Sequence, residues 1–347
     1  MSRRVKDLEA APRARLKDIA EHAGVSIATV SRVLNGKPDV AERTREAVFA
    51  ALRERGSPND RRLRRPRGKR TRLAGVTLPV INSDYYADIL NGIAEALHEQ
   101  DLRLVACPAA ELHEREHSLL ELLADGTTDG GILILPFESP QELEALKRRG
   151  YPFVVLDPRG EVPDGIPTIS TAQASGAHAA VEHLLDLGHR RIAAITGPAS
   201  LAATAGRLAG YRAALSGSEL LPADELVRRG ELDLESGLAA ARELLALPEP
   251  PTAIFAFNDK MAIGALHAAH ALGLRVPDDL SVVGFDGSEA ASLVIPRLTT
   301  VRQPVDEMAR LAVTMLRGLL DGQELATWRV ELAATLLVRE STAPAPS

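Results

Sequence analysis

Leu16-Lys-Asp-Ile-Ala-Glu-His-Ala-Gly-Val-Ser-Ile-Ala-Thr-Val-Ser-Arg-Val-Leu-Asn35 is the stretch whose reading decides the fold. Leu16, Ile19, Ala20 and Ala23 recur at helical spacing and give a first helix with one apolar stripe. Gly24 supplies the permissive backbone that a sharp turn needs. Ser26 then stands where its hydroxyl oxygen can cap the next helix. Val30, Val33 and Leu34 point that helix inward, leaving Ile27, Ala28, Thr29, Ser31, Arg32 and Asn35 outside. A helix-turn-helix of this kind lays its second helix in the DNA major groove. A third helix follows over Glu42–Arg55, with Val48, Ala51 and Leu52 facing inward.

Charge divides the chain. Its 347 residues carry a net −6, yet residues 1–72 hold 20 Lys/Arg and 9 Asp/Glu, and residues 73–347 hold 21 and 38. A basic head on an acidic body is expected when only the head meets phosphate. The length favours two or three domains, and 45% apolar residues suffice for a substantial core. Cys107 is the single cysteine, so no intrachain disulfide can form, which fits a reducing cytoplasm. No apolar run approaches the roughly 20 residues of a membrane span, and the charged N-terminus lacks the apolar core of a secretory signal.

Working outward, residues 1–14 read as a disordered basic arm and residues 15–56 as the helix-turn-helix head. The linker 57–72 carries eight Lys/Arg against Asp60 alone. It is either a solvated tether or a segment that orders on DNA. From Leu73, short apolar runs alternate with amphipathic helices. The strand candidates are Leu73–Leu78, Arg103–Ala106, Gly131–Leu135, Phe153–Leu156, Ile192–Thr196, Ala253–Phe257 and Ser281–Phe285. Helices are expected at Ala87–Glu99, Glu116–Leu123, Ala177–Leu187, Leu208–Leu215, Ser236–Leu247 and Lys260–Leu272. This alternation implies parallel sheets covered on both faces, in two doubly wound subdomains with ligands bound at strand ends or in the cleft between sheets.

The head motifs Leu16-Lys-Asp-Ile-Ala, Ala23-Gly-Val-Ser and Thr29-Val-Ser-Arg-Val-Leu-Asn-Gly36 resemble those of LacI/GalR-type transcriptional repressors. The body is similar too, in Glu182-His-Leu-Leu-Asp-Leu-Gly-His-Arg-Arg-Ile192, Arg207-Leu-Ala-Gly-Tyr211, Asn258-Asp-Lys-Met-Ala-Ile-Gly264, Ser281-Val-Val-Gly-Phe-Asp286 and Leu298-Thr-Thr-Val-Arg-Gln303. The likeness runs from residue 16 to about 340. It implies an all-α helix-turn-helix head and an α/β periplasmic-binding-protein-like body at 73–340, with a disordered tail at 341–347. The three crossings between subdomains would fall near Arg190, Thr300 and Trp328. That division gives an N-subdomain of about 73–189 and 301–327, and a C-subdomain of about 190–300 and 328–340.

The resemblance also assigns sites. Lys17, Ser26, Ile27, Ala28, Thr29, Ser31, Arg32 and Asn35 would contact DNA. Ile27 and Ala28 would vary operator choice, and Arg32 would reach a base, as Arg pairs bidentately with guanine. The linker departs from its relatives' short alanine-containing helix, whose leucine wedges into the minor groove. Leu63 is the expected wedge, although an ungapped alignment places Pro66 there. Arg207, Asn258, Asp286 and Gln303 match positions that hydrogen-bond the effector, with Tyr85 and Tyr86 at the cleft mouth. Leu232 replaces an aromatic on which relatives stack a ring. Thr171-Ala172-Gln173 stands where an Asp-Asn pair is usual, so a carboxylate is missing.

His113-Glu-Arg-Glu-His117 satisfies the zinc-protease pattern. Its charged surroundings and the want of a third ligand nearby argue for a solvated helix start instead. No metal, cofactor or catalytic residue is therefore expected, and the chain is not read as an enzyme. The expectation is a cytoplasmic, nucleoid-associated homodimer that binds a pseudo-palindromic double-stranded operator, with a small-molecule effector (a sugar or related metabolite) and no membrane partner. An orphan regulator without an effector and a solute-binding protein are the alternatives. The C-terminus has no heptad repeat, which argues against a coiled-coil tetramer.

Overall fold

A computed structural model describes residues 20–34, 40–55, 70–81, 83–109, 126–220 and 223–346. The arm, most of the linker with Leu63 and Pro66, Lys17, Asn35 and the His113–His117 motif lie outside the described residues. The head and the body form two compact units.

In the head, helical residues Ala20–His22 end at Gly24, whose φ of +64° is left-handed. The amide of Val25 donates to Ala20 O (2.9 Å) and that of Gly24 to Glu21 O (3.3 Å). This double return closes the helix end and brings Val25 onto Ala20. The second helix, Ile27–Leu34, is capped as expected: Ser26 Oγ accepts from Thr29 N at 3.0 Å. Val30, Val33, Val48 and Ala51 form a small buried core with Ala20, which fixes this helix against Glu42–Arg55. Ala28 and Arg32 are exposed.

Among the described residues the body holds two six-stranded sheets. The first contains β1 (Leu73–Leu78), β2 (Arg103–Pro108), β3 (Gly130–Ile134), β4 (Phe153–Leu156) and β5 (Thr168–Thr171). The second is built from β6 (Ile192–Thr196), β7 (Val227–Arg229), β8 (Ala253–Ala256), β9 (Ser281–Asp286) and β10 (Thr299–Arg302). The last two strands, β11 (Arg329–Leu332) and β12 (Thr335–Leu337), separate, one to each sheet. The orders are β11-β5-β4-β3-β1-β2 and β12-β10-β9-β8-β6-β7. Every pairing is parallel except β10 with β12. Central strands are buried on both faces, which is why they read as unbroken apolar runs.

Lobe 1 buries Val76, Ile132, Ile89, Ile93 and Leu97 against Met308, Val313 and Leu316, joining helices Asp84–Glu99 and Val305–Leu320. Lobe 2 packs Phe255, Phe257, Phe285 and Tyr211 among the apolar faces of its helices.

The three crossings are not where the resemblance put them. Helix Gln173–Asp186 does not stay with lobe 1, because Ala177, Ala180, Val181 and Leu184 lie in the lobe 2 core beside Ile192 and Val283. The first crossing is therefore Ala172, not Arg190. Strand β10 belongs wholly to sheet 2, so the second follows Arg302 and falls at Gln303-Pro304 rather than Thr300. Strand β11 pairs with β5 in sheet 1 and β12 with β10 in sheet 2. The third is thus Ala333-Ala334, beyond Trp328.

The disordered tail is a second correction. Ser341 is fully buried: its Oγ accepts from Thr299 N (2.8 Å) and donates to Val282 O (2.6 Å), and its carbonyl accepts from Val282 N (2.8 Å). The peptide groups beyond continue the pairing, with Ala343 O meeting His189 Nε2 at 3.0 Å and Ala345 N donating to Leu187 O at 2.8 Å. A polar, proline-broken sequence stays ordered because the start of β9, ahead of its pairing with β10, offers it hydrogen-bond partners.

Candidate functional site: a polar cleft between the lobes

Parallel strands aim their carboxyl ends at the space between the lobes, and the chemistry collects there. Asp157 follows β4 and Asp286 ends β9, while Leu232 lies in the turn after β7. All three have positive φ (51°, 120° and 64°), as does Leu135 after β3 (46°). Side chains other than glycine adopt that region at a cost, so local strain concentrates where side chains enter the cleft.

The cleft is shut by direct contact. Ala202 N donates to Arg159 O across it at 2.8 Å. Leu201 is buried in the lobe 1 core, and Leu232 packs against both cores.

Arg207, from helix Ala202–Gly217, is 6% exposed and spends every nitrogen within the protein. Its Nε donates to Gln173 Oε1 (2.7 Å), Nη1 donates to Phe257 O, and Nη2 lies 3.6 Å from Asp286 Oδ1. The guanidinium carbon stands 3.7 Å over the Phe285 ring, a desolvated cation–π contact. Gln303 Nε2 donates to Asp286 Oδ1 (2.8 Å), and Gln173 Nε2 donates to Gln303 Oε1 (3.4 Å). Arg207, Gln173, Gln303 and Asp286 thus close a ring of side chains.

Two carboxylates carry the electrostatics. Burial pushes Asp286 up to about 7; Asp259 and Asp157 add to that, and Arg207 and Gln303 oppose it. Asp157 is also raised by burial, against the pull of Arg207 and hydrogen bonds from Tyr85 and Gln173. Tyr85 Oη donates to Asp157 Oδ2 at 3.0 Å, and its ring meets Tyr86 edge-on with centroids 5.5 Å apart. Burial, and then the two carboxylates, raise both tyrosines above their ordinary range. Behind the cleft Asp259, raised to about 6 by burial, accepts from Thr300 Oγ1 (2.5 Å), Ser288 N (2.7 Å) and Ser288 Oγ (2.9 Å).

The sequence-derived residues divide. Tyr85, Asp286 and Gln303 line a cavity of about 640 Å³ beside the hinge, with Asp88, Asn91 and Arg310. Tyr86 sits close enough to Asp157, Asp286, Arg159 and Arg207 to feel all four charges. Asn258 is spent on structure: its Oδ1 caps helix Asp259–Ala271 through Met261 N (2.9 Å), and its Nδ2 donates to Leu232 O (2.9 Å). Sequence reasoning passed over Asp157 and Arg159. Asp157 had a signal, an acid directly after the apolar strand Phe153–Leu156, as Asp286 closes its own strand. Arg159 had none. Its guanidinium stacks 4.3 Å over Phe137, and its buried Nε meets no hydrogen-bond acceptor among the described residues.

In the head, Ser26, Ala28, Thr29 and Arg32 lie on or beside the second helix with Ala28 and Arg32 exposed. Ile27 and Ser31 belong to that helix, though their side chains are outside the description.

A helix-turn-helix head joined to a two-lobed body with a polar cleft defines a DNA-binding transcriptional regulator rather than an enzyme. Comparison with known proteins agrees. The family described as "Bacterial regulatory proteins, lacI family" matches residues 15–57, and the "Periplasmic binding protein-like domain" matches 181–342. The "HTH-type transcriptional repressor PurR" of Edwardsiella ictaluri is 32% identical over 335 residues, 96% of this chain and 98% of that protein. The "Ribose operon repressor" of Halalkalibacterium halodurans is 32% identical over 94% of this chain and 96% of its own. Among solved structures, the "transcriptional regulator CelR-cellobiose complex" is 34% identical with a TM-score of 0.72, covering 95% of this chain and all of that one. The lac repressor dimer bound to operator and the anti-inducer ONPF is 31% identical with a TM-score of 0.68, covering 96% and 100%. The chain belongs to the LacI family of bacterial transcriptional regulators. No helix among the described residues is long and apolar enough to cross a membrane.

Proposed function

We propose that the chain acts in the cytoplasm, at the nucleoid, as a homodimeric repressor of a pseudo-palindromic operator, tuned by a small hydroxylated effector held between the lobes. Two heads on one dimer match two half-sites by symmetry. Ala28, Thr29 and Arg32 meet the operator, with Lys17, Ser26, Ile27, Ser31 and Asn35 beside them and Leu63 as the wedge. The observation that carries the effector reading is the cleft itself: Asp157, Asp286, Arg207 and Gln303 gathered between two lobes. Such groups suit a ligand rich in hydroxyls, through directional and partly charge-assisted bonds. Leu232 offers no aromatic face for stacking, so the effector is held by hydrogen bonds rather than by a stacked ring. Relatives are named for a ribose operon and solved with cellobiose, which supports the same class.

The effector acts through differential affinity for two arrangements of the lobes, so its effect on operator binding is reciprocal. The test is binding-site selection with the full chain, followed by operator titration with ribose, cellobiose and a wider panel of sugars and sugar acids. Arg32→Ala is expected to cost roughly 1–3 kcal/mol at one base pair. Operator affinity unchanged by every panel member at saturation would favour a regulator without an effector. That second reading draws on the mutual satisfaction of Arg207, Gln173, Gln303 and Asp286 in the closed cleft.

A further inference from the structure

Gln173 is the first residue past the crossing at Ala172, and Gln303 is the first residue after β10, at the second crossing. Their side chains meet each other, at 3.4 Å, and nothing else in the ring joins the two crossings directly. On the cleft side Gln173 holds Arg207 at 2.7 Å and Gln303 holds Asp286 at 2.8 Å. Gln173 is 8% exposed and Gln303 2%, so water does not compete for these bonds. We propose that Gln173 is a positioning residue: it ties Arg207 to Gln303, and so links occupation of the cleft to two of the three hinge crossings. The proposal rests on reading the cleft as the effector site.

The Nε of Arg207 carries a single hydrogen, and Gln173 occupies it. A ligand oxygen that takes Nε displaces the Gln173 carbonyl, and the rotated carboxamide can no longer donate to Gln303. The Gln173–Gln303 bond lies at the long limit of hydrogen bonding, so it yields first. Gln303 then keeps only Asp286 as a side-chain partner, and its own amide donates to Asp286 O at 3.1 Å, so both bonds fall on one residue of lobe 2. The second crossing is freed of the first.

Hydrogen exchange on the full-length chain tests this without effector or DNA. In Gln173→Ala the amides of Gln303 and Val305 are expected to exchange roughly tenfold faster, the loss of one buried hydrogen bond, with the lobe 2 core amides such as Phe257 unchanged. Gln173→Glu keeps an acceptor for Arg207 and, when ionised, loses the donor to Gln303. It is expected to recover the wild-type melting temperature while leaving Gln303 and Val305 fast, a separation that a packing role alone would not produce. Unchanged exchange at Gln303 and Val305 in both variants overturns the proposal, and so does uniform acceleration across lobe 2. A failure of the effector reading would appear in the operator titrations and leaves the exchange result standing.

Discussion

Replacing Gly264 by alanine tests whether the cleft's supporting helices touch backbone to backbone. Helices Leu234–Leu245 and Asp259–Ala271 are the pair in question, and the second begins at the Asn258 cap. A Cβ on Gly264 would collide with the carbonyl oxygen of Leu234 and lie 2.6 Å from Leu238 N and 3.0 Å from the carbonyl carbon of Gly237. These are main-chain atoms, so no rotamer change relieves the clash and the helices must separate by about an ångström. Overpacking costs about 1–3 kcal/mol where side chains can adjust, which puts this site near 3 kcal/mol or above. At about 2–4 °C per kcal/mol for a domain of comparable size, the melting temperature should fall by about 6–12 °C. The control is Gly217→Ala at the end of helix Ala202–Gly217, where nothing lies within 4 Å of the new methyl. It should be neutral or stabilising by a few tenths to about 1 kcal/mol through helix propensity. Calorimetric melts of the two variants decide the matter. A Gly264→Ala protein melting within about 2 °C of wild type would refute the close approach.

Three further outcomes are expected. Ser26→Ala should lose about 1 kcal/mol of cap stabilisation, read in the full chain as lower amide protection of Thr29 and Val30; unchanged protection would contradict the capping geometry. Removal of residues 341–347 strips three hydrogen bonds made by Ser341 and should lower stability by about 3 kcal/mol in urea denaturation, whereas a free tail would give no change. Asp286 is raised from an ordinary 3.8 to about 7 by burial, so folding and closure bind a proton. Its contribution is therefore full below about pH 4, declines as pH rises toward 7 and is flat above. Asp286→Asn should remove that slope; identical pH profiles for variant and wild type between pH 4 and 7 would count against it.

Legibility followed burial. Strands covered on both faces, such as Phe153–Leu156 and Ile192–Thr196, show as apolar runs, and their expected bounds match. Strand β11 alternates charged and apolar residues, β7 has one apolar residue beside two arginines, β10 opens on two threonines and β12 is only three residues long, so none of them stands out. The crossings were invisible for a different reason. The apolar stripe of Gln173–Asp186 says that the helix is covered, but not by which sheet. In the head, Gly24 and Ser26 acted locally, through a left-handed turn and a cap, so three residues of spacing sufficed. The cleft was half legible. Asp286, Arg207 and Gln303 came from motif positions, whereas the partnership of Gln173 with Gln303 joins residues 130 apart in sequence. Asn258 matched its motif too, yet geometry commits both its polar atoms to the fold.

Moving the first crossing to Ala172 changes the order in which the protein can assemble during synthesis. Lobe 2 receives five of its six strands and its core helices in one continuous run, from Gln173 to Arg302. Lobe 1 begins earlier, at Leu73, but its core stays incomplete until Met308, Val313 and Leu316 arrive, and its edge strand β11 comes later still. A ribosome therefore releases a second lobe that lacks only β12 and the C-terminal tail, while the first, begun well before it, waits with an apolar face uncovered. Chaperone contacts and aggregation during synthesis should concentrate on that waiting lobe, and fall away once translation passes Leu332.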